Sequence, residues 1–98
     1  MNDYRPKSKR FGRHTYRYYY LKESDPNSPD HDGFVLYDPK KIYIAENPEY
    51  SMIKTVAHED LHASFYENGI RDLDKHFEHA LIEIVAEYIE KYYVPKKL

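Results

Sequence analysis

His58-Glu59-Asp60-Leu61-His62 spells His-Glu-x-x-His in a stretch whose apolar spacing predicts a helix. Residues four apart on a helix lie about 40° apart around its axis, so His58 and His62 can both turn an imidazole nitrogen toward one metal ion. Glu59 stands one step round, within reach of a water held at that ion. Two nitrogen ligands, a general base and an open position for water are the minimum equipment of zinc-dependent hydrolysis. Six histidines and nine glutamates make the chain rich in these residues. Composition alone then produces the motif by accident at a rate of roughly 3%. The plainer reading is a solvated helix face carrying two histidines, and the neighbouring elements must separate the two.

A catalytic zinc site usually draws three ligands from the protein. Gly69 is a natural stop for the motif helix, and Asp72 or Asp74 begins a second helix that runs to about Tyr93 ahead of Pro95. The apolar arc of this second helix contains Phe77, Leu81, Ile84, Val85, Tyr88 and Tyr92 and widens to Ile82 and Ile89. Glu78 falls inside the arc, where a carboxylate is costly unless something compensates its charge. A metal ion shared with His58 and His62 would do so, which makes Glu78 the candidate third ligand. The alternative for Glu78 is a solvated acid in the first turn, favoured there by the helix dipole. His79, on the polar side with Glu83, Glu87 and Glu90, is the rival ligand. His76 shares that side as a solvated or rim residue, and nothing ties His14 or His31 to the site.

The elements that must position these residues are short. The motif helix opens at Asn47-Pro48 or at Ser51 and runs to about Asn68, with Ile53, Val56 and Ala63 opposite the histidines and Leu61 and Phe65 flanking them. This pattern predicts a helix covered on two sides, with the histidines in a cleft. Asp60 lies among apolar positions and is expected to pair with a Lys or Arg of the sheet. Thr15 to Leu21 alternates with period two, Tyr16, Tyr18 and Tyr20 on one side, and reads as a strand. Ser24 to Gly33 reads as a loop. Phe34 to Tyr37 and Ile42 to Ala45 flank Asp38-Pro39-Lys40-Lys41 as a hairpin. The expected architecture is α+β, a three-stranded, mostly antiparallel sheet packed on the motif helix and a C-terminal glutamate helix.

Ninety-eight residues make one domain with a modest core. With no cysteine in the chain, disulfides and thiolate ligands are excluded and a metal must sit on nitrogen and oxygen. The basic N-terminus has no apolar run behind it and no segment is suited to span a membrane, so a cytoplasmic protein is expected. The net charge of −2 is unevenly spread: residues 1–22 hold seven Lys or Arg against one Asp, and the remainder eight against sixteen acids. Residues 1–13 read as a basic, poorly ordered arm and residues 14–98 as the domain.

From Ile42-Tyr43-Ile44 through Thr55-Val56-Ala57-His58-Glu59-Asp60-Leu61-His62-Ala63 to Glu78 with Leu81, Ile82 and Val85, the chain resembles the gluzincin branch of zinc metallopeptidases. It looks most like the minimal single-domain minigluzincins and the ImmA/IrrE type of HExxH protein, over roughly residues 34–93. The resemblance implies a zincin-like domain with His58, His62 and Glu78 as zinc ligands and Glu59 as general base and acid. It also implies hydrolysis of peptide bonds by a zinc-bound water, and an upper-rim strand at Ile42 to Glu46 that takes an extended peptide or protein substrate by strand addition. Tyr66, His76 and His79 are the nearest candidates for stabilising an oxyanion, and no second subdomain walls the cleft. The alternative function is a non-catalytic binding module. Its zinc would be structural, and its basic, Tyr-rich segment from Arg10 to Tyr18 would contact nucleic acid or a protein.

Overall fold

Tyr16 and Tyr18 on one strand and Ile42 and Ile44 on another are buried two positions apart, so parity along the strands decides which sheet face meets the helices. The computed structural model describes residues 4–22, 25, 33–46 and 51–93. Its elements are β1 (Ser8–Phe11), β2 (His14–Lys22), β3 (Gly33–Tyr37), β4 (Lys40–Glu46), α1 (Met52–Glu67) and α2 (Lys75–Tyr92). They form a small α+β domain whose buried tyrosines and isoleucines pack against Met52, Val56 and Ala63 of α1.

The sheet has four strands in the order β1-β2-β4-β3 and is mixed. β1 and β3 are antiparallel to their neighbours, whereas β2 and β4 run parallel. Two expectations are corrected here. The first concerns the arm, because Ser8–Phe11 form β1 rather than a disordered tail. Gly12, at φ +59°, takes the first central position of a two-residue turn, where glycine carries no steric cost. Phe11 then meets Tyr16 edge-on at 5.6 Å and Lys9 reaches Asp60 of α1 at 2.6 Å, which fastens the hairpin to the domain. The second concerns pairing. β4 carries the fully buried Ile42 and Ile44 and takes an interior position, while β3, with the more exposed Phe34 and Leu36, takes the edge. Lys41 to Ile44 are paired on both sides, so no further strand can be added there. Among the described residues the edges of the sheet are β1 and β3, and β3 is the edge next to β4.

The helix boundaries follow local chemistry. Ser51 caps α1, its hydroxyl accepting from the Lys54 N–H, and Asn47-Pro48, the other candidate start, lies outside the described residues. At the far end Ile70 N–H donates to the Phe65 carbonyl and Gly69 N–H to the Tyr66 carbonyl, with Gly69 at φ +85°, a Schellman ending. Asp74 caps α2 by accepting from the His76 and Phe77 N–H groups. The packing of α2 departs from the expected arc. Ile82 and Ala86 are its buried residues, while Phe77, Ile84, Tyr88 and Tyr92 are more than half exposed. The apolar arc is wider than the face α1 can cover.

Two buried carboxylates tie α1 to the sheet. Asp60 accepts from Lys9 and from the Tyr18 hydroxyl, the sheet pairing expected for it. Burial pushes its carboxyl above the usual range against the pull of those two donors. Glu67 accepts from Tyr16 at 2.5 Å and Lys40 at 2.8 Å and pairs with His14 at 2.8 Å, which removes His14 from the motif histidines. Burial opposes its charge, but these donors outweigh burial and hold the carboxyl down at about 2. A depressed folded-state pKa gives stability that is present above the ordinary carboxylate value of 4.5 and is lost as pH falls toward 2. Glu67→Gln is therefore expected to cost about 1–3 kcal/mol at neutral pH and to flatten the acid limb of the stability curve in that window. An unaltered acid limb in chemical denaturation would show that Glu67 is no anchor.

Candidate metal centre

His58 and His62 project from one face of α1 into the groove that α2 closes, with side chains 13% and 21% exposed. Their Nε2 atoms stand 3.3 Å apart. Their outer nitrogens are both engaged by α2: Glu78 Oε2 lies 2.7 Å from Nδ1 of His62, and Glu83 Oε1 lies 2.9 Å from Nδ1 of His58. The second oxygen of Glu83 is 3.5 Å from the Lys54 ammonium.

This arrangement fixes the tautomers. Ionised carboxylates only accept, so each Nδ1 must carry the proton, and each neutral imidazole then presents a bare lone pair at Nε2. Two lone pairs facing each other at 3.3 Å repel unless a cation lies between them. Burial and the neighbouring His62 hold the His58 imidazole below its usual range, which disfavours a proton on that ring. A metal ion fits. Two nitrogens bound at about 2.0–2.1 Å to one tetrahedral ion stand roughly 3.3–3.4 Å apart, which is the spacing present here. Carboxylates on the outer nitrogens are also the usual means of orienting metal-binding imidazoles and raising their basicity.

The third candidate donor is His79. Its ring centroid is 4.8 Å from that of His58, and among the described residues His58, His62 and His79 form a group whose ligand atoms all lie within 4.8 Å of one another, close enough to hold a metal ion. Glu78, expected as the third ligand, stands instead on the far nitrogen of His62. Both residues sit in the first turns of α2, one position apart: Glu78 lies against Nδ1 of His62, and His79, 61% exposed, lies beside the His58 ring with its Nε2 3.9 Å from Glu83 Oε1. The charge at Glu78 is compensated as its place in the apolar arc requires, through imidazole N–H. Glu83 was read only as part of a polar face. Its spacing of four from His79 is the one sequence signal that could have linked it to the site.

Glu59 is 4% exposed and points toward the sheet. A Cβ built on Gly33 would lie 3.1 Å from its Cγ and 2.5 Å from the Tyr43 carbonyl, so only glycine at the start of β3 leaves Glu59 this room. Tyr37, four residues along β3, stacks on Tyr66 at 4.0 Å between centroids. Burial, with the charges of Glu78 and Glu59, pushes its hydroxyl up to about 12, so it stays a donor at neutral pH. The charges of Glu78 and Glu59 both act on the Tyr37 hydroxyl, an influence the sequence concealed among twelve tyrosines. His76 is exposed, as expected, and His31 lies outside the described residues. A cavity of about 270 Å³ walled by Phe11, Ile53, Leu61 and Ile89 opens on a different side of α1 and includes none of the histidines.

Comparison of the chain with known family models, with curated proteins and with solved structures gives no match. The ligand assignment therefore rests on geometry and can be read by divalent-metal titration. Glu78→Ala, which removes an orienting carboxylate, is expected to weaken binding by about 10- to 100-fold, and His79→Ala, which removes a ligand, by more. Loss of binding in Glu78→Ala with unchanged affinity in His79→Ala would return the third position to Glu78.

Proposed function

We propose that this chain is a zinc-dependent hydrolase of peptide bonds on a minimal zincin-like scaffold, with His58, His62 and His79 as the ligands, a histidine in place of the glutamate of a gluzincin, and Glu59 as the general base. The observation that carries the reading is the pair of Nε2 lone pairs held 3.3 Å apart by carboxylates on the opposite nitrogens. The donor set is all imidazole, which suits zinc among the available metals, and hydrolysis needs no redox change. His58, His62 and His79 would hold the ion and would leave it accessible to water or substrate. Bound there, zinc supplies Lewis acidity toward water and toward a carbonyl oxygen.

The residues of the chain divide the remaining work. Glu59, enclosed beneath Gly33, takes a proton from the attacking water and returns it to the leaving amine. Tyr37, protonated at neutral pH, offers its hydroxyl to the oxygen that gains charge. β3 is a free sheet edge beside Glu59, which supports an extended peptide as the substrate, paired along Gly33–Tyr37 rather than along Ile42 to Glu46. Glu78 and Glu83 hold the imidazoles in the tautomer that ligation needs.

One observation favours a second reading, a structural metal in a non-catalytic module. The three histidines join α1 to α2 in a chain whose core is small, and a metal clasp stabilises such a fold. Glu59→Gln separates the two. The hydrolytic reading expects it to keep the metal and to lower cleavage of a quenched peptide library at least about 100-fold, whereas His58→Ala loses both metal and cleavage. Tight metal binding with no cleavage by the unmodified chain, or equal rates in Glu59→Gln, would leave only the structural role.

A further inference from the structure

The sheet has a second face, turned away from α1 and α2. Because Tyr16, Tyr18, Ile42 and Ile44 point toward the helices, the alternate residues of the same strands point outward. Across three adjacent strands they form a row of rings: Tyr19 is paired with Tyr43, and Tyr43 with Phe34. The rings are stacked, with centroids 5.2 Å and 4.9 Å apart. Phe34 ends the row on the edge strand, 38% exposed, and among the described residues no strand lies beyond it. A planar group can extend the stack there.

The adjacent row is cationic. Arg17 on β2 lies directly opposite Lys41 on β4. Like charges in that position destabilise a sheet, and among the described residues neither has a carboxylate partner. Lys41 lies over the Tyr19 ring at 5.3 Å. Arg10 on β1, opposite Thr15 and so one row further from the rings, adds a third cation whose only hydrogen bond among the described residues is to the Gly12 carbonyl. The outward positions of the described strands, which include 8, 10, 15, 17, 19, 21, 34, 36, 41, 43 and 45, hold no acid in a chain whose net charge is −2. Rows two residues apart on a strand are separated by about 6.6 Å, the reach of one nucleotide from base to phosphate.

We propose that this open face binds single-stranded nucleic acid, its bases continuing the ring row from Phe34 and its phosphates lying on Arg17, Lys41 and Arg10. The unpaired like charges are a cost to the sheet that an anionic ligand removes, and the ring row selects an anion with planar, unstacked bases. A duplex hides those base faces. The tyrosines involved are not those of the Arg10 to Tyr18 segment. Tyr16 and Tyr18 are buried in the core, and the platform draws one ring from each of three strands. It lies on the face of the sheet opposite the histidines, and at the β3 edge a base stacked on Phe34 and a peptide paired along Gly33–Tyr37 would compete for the same place.

Fluorescence polarisation with a labelled oligo-uridine of about 10 nucleotides and the full chain tests the proposal. Binding is expected at about 50 mM salt and should weaken by 200 mM, with a log–log slope near −1.5 to −2 for two to three neutralised phosphates. Phe34→Ala should weaken it by about 5- to 150-fold, while Phe34→Tyr retains it. Arg17→Ala with Lys41→Ala should both weaken it and reduce the slope. His58→Ala, folded by circular dichroism, should bind as the unaltered chain does. No binding at low salt, equal binding of a duplex or of polyglutamate, or an unchanged affinity in Phe34→Ala would each overturn the proposal.

Discussion

Two hydrogen bonds on the wrong side of two imidazoles govern this site. Glu78 and Glu83 accept from Nδ1 of His62 and His58, and by doing so they force both Nε2 lone pairs into the same small space. Two bare lone pairs at that distance repel, and a cation between them would turn the contact into a link that, with His79, joins α1 to α2. The carboxylates gain as well. Glu78, which would be an uncompensated charge near the apolar seam of α2, is satisfied by an imidazole N–H, and Glu83 is shared between His58 and Lys54.

The rest of the fold serves to hold that geometry. α1 is fixed at its start by Ser51 and at its end by the Schellman turn at Gly69. It is fixed against the sheet by Asp60 and Glu67, each bonded to strands that arrive from distant parts of the chain. These anchors lie on the faces of α1 that the histidines leave unused. A rotation of α1 that would misalign His58 and His62 therefore breaks several buried hydrogen bonds at once. Gly33 completes the arrangement on the sheet side by letting Glu59 pack where any side chain would collide with it.

Local rules made much of this legible from the residues. The His-Glu-x-x-His spacing, the Ser51 and Asp74 caps, the Gly69 stop and the parity of Tyr16 and Tyr18 all depend on a few neighbouring positions, and the structure has them where those rules put them. What was hidden depends on contacts between distant segments. β1 carries charges outward and only Phe11 and the Lys9 stem inward, so it lacks the apolar alternation of a strand. Its partner Asp60 is 51 residues away. The parallel pairing of β2 with β4 has no local signature at all. The exchange of Glu78 for His79 at the third position turns on the crossing of two helices, which a helical wheel cannot specify. The same limit explains why Phe77, Ile84, Tyr88 and Tyr92, an apolar stripe in sequence, lie largely in solvent.

The tautomeric state of His58 and His62 decides whether this site takes a metal, and imidazole nitrogen NMR during a zinc titration reads that state directly. At one equivalent of zinc the Nε2 resonances of His58 and His62, with one ring nitrogen of His79, should move to metal-bound positions while Nδ1 of His58 and His62 stays protonated. Ring nitrogens that do not respond to zinc, or coordination through Nδ1 with Glu78 and Glu83 displaced, would contradict this assignment.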